Sequence, residues 1–141
     1  MITASSWKAL QNPRAWPWRD FTPREMSCRA TGRVVLSSGF MDKLQAIRDA
    51  MDRPLVVTSG YRTPEHNARV STTGTDGPHT TGHAADIACY GKGALDLVHF
   101  AVEHGMTGIG QHQRGSYEGR FVHLDDLPQE PGQPRPWPWT Y

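Results

Sequence analysis

The chain has 141 residues, with 15 Lys and Arg against 14 Asp and Glu, so its formal net charge is +1. That length holds about one domain, and the near balance of charge gives no support to a nucleic-acid binder relying on a basic surface. No stretch approaches the roughly 20 apolar residues of a membrane span. Gly and Pro together number 25 (14 and 11), so long, shaped loops are expected. Two cysteines, Cys28 and Cys89, do not make a disulfide framework and are read as two buried thiols rather than one bridge.

Residues 1–20 place Trp7, Trp16 and Trp18 between prolines and contain no apolar stretch of the kind a Sec signal peptide needs. The tail from Pro128 to Tyr141, with Pro-Trp-Pro-Trp at 136–139, has a similar composition. Both arms are read as straps over the domain surface, possible neighbours of one another, in preference to a carbohydrate or peptide platform. Thr22-Pro23-Arg24-Glu25 has the cap, proline and N3 glutamate of a helix start. Phe40, Leu44, Ile47 and Met51 form an apolar stripe that predicts a helix after Ser38, ending before Pro54. Residues 55–59 predict a buried strand, and Thr63-Pro64-Glu65 opens a short helix reaching Val70. Residues 71–83 predict a loop, 84–89 a strand of small residues, and 94–105 a second amphipathic helix. Residues 107–111 and 120–125 predict two more strands, close enough in sequence to pair antiparallel. The expected fold is α+β: a small antiparallel sheet with flanking helices. One domain is expected over 1–141, with its core in 21–127 and an arm at either end.

Seven histidines raise the question of a metal. His99 and His104, on and at the end of the second long helix, read as structural or surface residues. His79 and Asp86 lie seven apart, a loop histidine followed by a strand carboxylate, with Gly82 allowing a turn between them. On the strand Ala84 and Asp86 share one face, and a buried Asp86 needs a cation or hydrogen-bond donors. In Phe121-Val122-His123-Leu124-Asp125, alternation puts Phe121, His123 and Asp125 on one face and Val122 and Leu124 on the other. His79, Asp86 and His123 then make a two-histidine, one-carboxylate set of the kind that holds catalytic Zn2+ and leaves a position for water; the other reading is that His123 is a satisfied core histidine and Asp125 caps a turn. Arg62, directly after a strand, could hold a substrate carboxylate by a two-pronged hydrogen bond or brace the loop against Asp86.

These blocks resemble those of the zinc D-alanyl-D-alanine carboxypeptidase family, peptidase family M15, which includes murein endopeptidases and phage endolysins. Ser59-Gly60-Tyr61-Arg62 with Pro64 and Asn67, then His79, Gly82, Ala84 and Asp86, then Gly108-Ile109-Gly110 and Phe121-Val122-His123-Leu124-Asp125, follow the family's order. The resemblance implies a hedgehog/D,D-peptidase-like fold. It also implies a zinc peptidase of peptidoglycan stem peptides, acting next to D-alanine at the cell wall or in the periplasm, as a monomer. A cross-link endopeptidase of a phage, released at lysis, and a zinc-containing module without catalysis are the alternatives. Two positions depart from the family pattern. Gly77 stands where a serine is usual, and Arg120 occupies the position of the acidic base of some members, three residues before His123. For the acid–base role Asp125 comes first, unless it orients His123 from behind. Glu118 could swing in from the preceding loop, and His112 could assist.

Overall fold

The computed structural model describes residues 1–141. In chain order the elements are β1 (Ile2–Ala4), α1 (Pro23–Met26), β2 (Val34–Leu36), α2 (Ser38–Met51), β3 (Val56–Ser59), α3 (Pro64–Val70), β4 (Ala84–Ala88), α4 (Gly91–Glu103), β5 (Gly108–His112), β6 (Phe121–Asp125) and β7 (Trp137–Thr140). Short 3-10 turns occur at Trp7–Leu10, Pro78–Thr80 and Tyr117–Gly119. The α+β class is borne out, but the main sheet is larger than expected and mixed. Its five strands run β3-β4-β6-β5-β7, all neighbours antiparallel except β5 and β7, which are parallel. β1 and β2 form a separate antiparallel pair.

The helices start where side chains satisfy the free amides of the first turn. Thr22 and Glu25 form the full capping box of α1, and the Ser37 hydroxyl accepts from the Phe40 amide at α2. α2 ends on Asp52, which adopts φ +51°, the left-handed conformation usually left to glycine.

One face of the sheet is apolar. Val57, Ala85, Ile87, Ile109, Val122 and Leu124 join Phe40, Met41, Leu44 and Ile47 of α2 and Ala94, Leu97 and Ala101 of α4 in the core. The period of two along β4 and β6 that sends these side chains to the helices sends Asp86, His123 and Asp125 to the other face. Asp86 and His123 are direct cross-strand partners. Their spacing is thus a property of the central strand pair.

The two arms have different roles. The amino-terminal arm enters the core: Trp16 and Trp18 are buried, the Trp16 indole donates to the Phe21 carbonyl at 2.7 Å, and the Trp18 indole donates to Asp42 of α2 at 2.8 Å. The carboxy-terminal arm is no strap, because it contributes β7 beside β5. Cys28 and Cys89 are both free thiols, but only Cys28 is buried; Cys89 is half-buried.

Candidate metal centre and cleft

His79 comes from the 3-10 turn at Pro78–Thr80, and the chain then reverses through Gly82 at φ +80°. A side chain at Gly82 would press into the backbone of Val35 and Leu36, so the turn packs tightly on β2. The His79 ring is fixed from behind: its Nδ1–H donates to the Gly60 carbonyl at 2.7 Å. This leaves Nε2 with a bare lone pair aimed at Asp86 Oδ1, 3.2 Å away. His123 is fixed in the mirrored sense. Its Nε2–H donates to Asp125 Oδ2 at 3.0 Å, and its bare Nδ1 lies 3.0 Å from Asp86 Oδ1 and 3.2 Å from His79 Nε2. All three side chains are buried.

Three electron-pair donors therefore face one another at 3.0–3.2 Å, which is unfavourable unless positive charge sits among them. Ligands on a tetrahedral zinc, with bonds of about 2.1 Å, lie about 3.4 Å apart. The donor set and its spacing both fit a metal ion, and these three residues make a cluster able to hold one. Where no ion is bound, a proton among the facing atoms supplies positive charge instead. Burial works against the charge of Asp86, yet hydrogen bonds and charge from His123 and His79 hold its carboxyl below the usual carboxylate range. Burial likewise opposes a charged His123, yet Asp125 and Asp86 raise its pKa.

Arg62 braces the centre. Its Nη2 donates to Asp86 Oδ2 at 3.2 Å, its Nε to Ser59 Oγ at 2.9 Å and its Nη1 to Asn67 Oδ1 at 3.1 Å. Asn67 passes the connection on, donating to Thr73 Oγ1 at 2.8 Å and to the Gly74 carbonyl at 2.6 Å. This network accounts for Gly77. A side chain there would overlap the Thr73 hydroxyl and the Asn67 amide, so the Thr73 hydroxyl occupies the place a serine would need.

The cleft over the centre has a volume of about 490 Å³. Val70 and Ser71–Thr73 form one wall, while Arg135, Trp139 and Tyr141 come from the carboxy-terminal arm. Gly110 in β5 makes room for this arm, because a Cβ there would overlap the Trp139 ring, and a Cβ at Gly108 would overlap the Asp125 carboxylate of β6. The Trp139 ring lies 5.0 Å from that of His123.

The candidates for acid–base work are placed elsewhere. Asp125 shares the face of His123, but it is fully buried and does not line the cleft. Arg135 grips both its oxygens at 2.8 Å, and the Leu127 amide donates to Oδ1 at 3.3 Å. Of the two places the sequence left open for Asp125, the structure gives the one behind His123, where the arm covers it. Glu118 is exposed on the turn before β6 and does not line the cleft. His112 stacks on Phe121, ring centroids 5.0 Å apart, and is no part of the cluster. Arg120 turns away, donating to the Gly115 carbonyl and covering the Tyr117 ring.

Arg135, Trp139 and Tyr141, with the wall from Val70 to Thr73, are cleft residues that sequence reasoning missed. The proline on either side of Trp137 argued against a strand, but an edge strand tolerates proline.

Comparison with known proteins places this arrangement. Zinc D-Ala-D-Ala carboxypeptidase of Streptomyces albus G is 40% identical over 70 residues, 49% of this chain and 27% of that protein. The chain thus matches well under two thirds of the length of that relative. A family profile described as Peptidase M15 matches residues 19–125, the segment that carries all three residues of the cluster. On that match, which covers well over half of its length, the chain belongs to the Peptidase M15 family.

Proposed function

We propose that the chain is a zinc-dependent peptidase that hydrolyses peptidoglycan stem peptides next to D-alanine, of the D-alanyl-D-alanine carboxypeptidase type, at the bacterial cell wall. One observation carries the reading: His79, Asp86 and His123 present three lone pairs to one point, with each ring held in the required tautomer from behind. The donor set suits zinc, and the printed activity of the Streptomyces relative supports the substrate class. The non-catalytic alternative is disfavoured because the cluster has three protein ligands and not four, which leaves a coordination position for chemistry.

When bound, zinc supplies an activated water and polarises the scissile carbonyl. The protein's own groups set the frame for that chemistry. Asp86 supplies the single negative charge among the three, and Arg62 holds its second oxygen, so the carboxylate cannot rotate away from the histidines. Asp125 works behind the site as the acceptor that keeps the His123 proton on Nε2. Among the residues lining the cleft, Tyr141 is the one ionisable group that is neither a ligand candidate nor a guanidinium. Burial, reinforced by the charge of Asp86, pushes its phenol up. A phenol is protonated at neutral pH in any case, so Tyr141 serves as a hydrogen-bond donor to charge developing on a substrate oxygen.

The test is digestion of purified muropeptides followed by mass analysis, with and without a chelator. Release of single D-alanine residues, lost on chelation and restored by zinc, is the expected result. Splitting of cross-links without that release identifies the endopeptidase alternative, and hydrolysis indifferent to zinc removal ends the metal reading. His123→Ala removes bound zinc and hydrolysis together.

A further inference from the structure

Arg135 lies ten residues beyond β6 and outside the segment matched by the family profile. Its side chain is nonetheless 92% buried, being 8% exposed, over an Asp125 that is 0% exposed. The guanidinium grips the carboxylate in the forked geometry: Nε donates to Oδ1 and Nη2 to Oδ2, both at 2.8 Å. The third nitrogen, Nη1, donates to the Pro134 carbonyl at 2.7 Å. Trp139, two positions into the same arm from Trp137, lies with its ring 5.5 Å from the guanidinium carbon and 5.0 Å from the His123 ring. The carboxy-terminal arm thus touches His123 directly through Trp139 and indirectly through Arg135 and Asp125.

We propose that Arg135 is a positioning residue for His123, acting through Asp125, which makes the carboxy-terminal strand a working part of the metal centre. The proposal rests on the metal-centre reading given above. A carboxylate held by one contact can swing about its Cβ–Cγ bond. Two parallel hydrogen bonds from a planar fork fix its plane. With the plane fixed, Oδ2 points at His123 Nε2, the proton stays on that nitrogen, and Nδ1 remains bare toward Asp86 and His79. A lysine keeps the charge but not the fork. Three of the five guanidinium N–H groups, one on each nitrogen, are engaged in this internal task.

The experiment uses the full chain and three variants: Arg135→Met, Arg135→Lys and Trp137→Ala. Trp137 is exposed on the same strand and serves as the control for general disturbance of β7. Zinc affinity is measured by competition with a chromophoric chelator. The downfield proton signal of His123 Nε2–H is followed by NMR in the zinc-free protein. Arg135→Met is expected to weaken zinc binding about 10- to 100-fold and to shift or broaden the signal. Arg135→Lys weakens binding less, moves the signal in the same sense, and supplies both readings should the Met variant fail to fold. Trp137→Ala leaves both readings unchanged. Zinc affinity within twofold of the parent with the signal in place in the Arg135 variants overturns the proposal, as does an equal loss in Trp137→Ala. A parent that takes up no zinc sinks the metal-centre reading on that result alone, and the proton signal then decides the Arg135 assignment by itself.

Discussion

Replacing Asp125 with asparagine tests the burial of charge behind the site. The substitution keeps the shape and removes one negative charge and one acceptor. Asp125 is 0% exposed and takes four hydrogen bonds, two from Arg135, one from His123 and one from the Leu127 amide. An asparagine has two orientations here, and both are poor. With its NH2 at the Oδ2 position it faces Arg135 Nη2 and the His123 N–H, and with its NH2 at the Oδ1 position it faces Arg135 Nε and the Leu127 N–H. Either way two donors meet a donor, and the guanidinium, 8% exposed, loses its anionic partner. Breaking one side of a buried ion pair costs about 3–5 kcal/mol. For a chain of this length the entropy of unfolding is about 0.3 kcal/mol/K, so the zinc-free variant should melt about 10–17 °C lower at pH 7. Thermal unfolding followed by circular dichroism gives the number. A drop of less than about 3 °C would refute the claim that Asp125 is a locked, buried anion. The double variant Asp125→Asn with Arg135→Met should recover part of the loss, because it leaves no unpaired charge behind.

The same carboxylate governs acid stability. Burial opposes its charge, but His123 and Arg135 together hold its pKa below the ordinary value. A folded pKa below the unfolded one gives stability that is fully present above about pH 4 and is lost as pH falls through the folded value. The parent should therefore lose stability across that acid window, and Asp125→Asn should show a flatter acid-unfolding profile. Gly110→Ala pushes Trp139 off its seat and should cost about 1–3 kcal/mol, read as a lowered melting temperature with a change in tryptophan fluorescence. Zinc at 100 times its dissociation constant should stabilise the parent by about 2.7 kcal/mol, and a chelator should reverse this. Burial pushes the Cys89 thiol up to about 11, so alkylation at pH 8 should be slow in the native protein and fast after unfolding.

The candidate ligands were legible in the sequence because they depend on short-range rules. Alternation along β4 and β6 decides which face Asp86 and His123 occupy, and a turn at Gly82 returns the chain after His79. The same alternation gave the face of Asp125 but not what covers that face. Its cover arrives from ten residues further on and carries no periodic pattern of its own. β7 reads as Trp-Pro-Trp-Thr, a composition that suits a strap as well as an edge strand. β1 and β2 have three residues each, too few for alternation to register. Gly77 could be seen as a departure, but its reason lies in Asn67 and Thr73, which meet only once α3 and the following loop are folded.

Asp86 and His123 sit directly opposite each other on the two central strands. A slip of one residue between β4 and β6 would turn the imidazole into the oily layer beneath α2 and α4 and destroy the donor set. An ion that binds only the aligned pair would therefore add its binding free energy to the one permitted alignment and to no other.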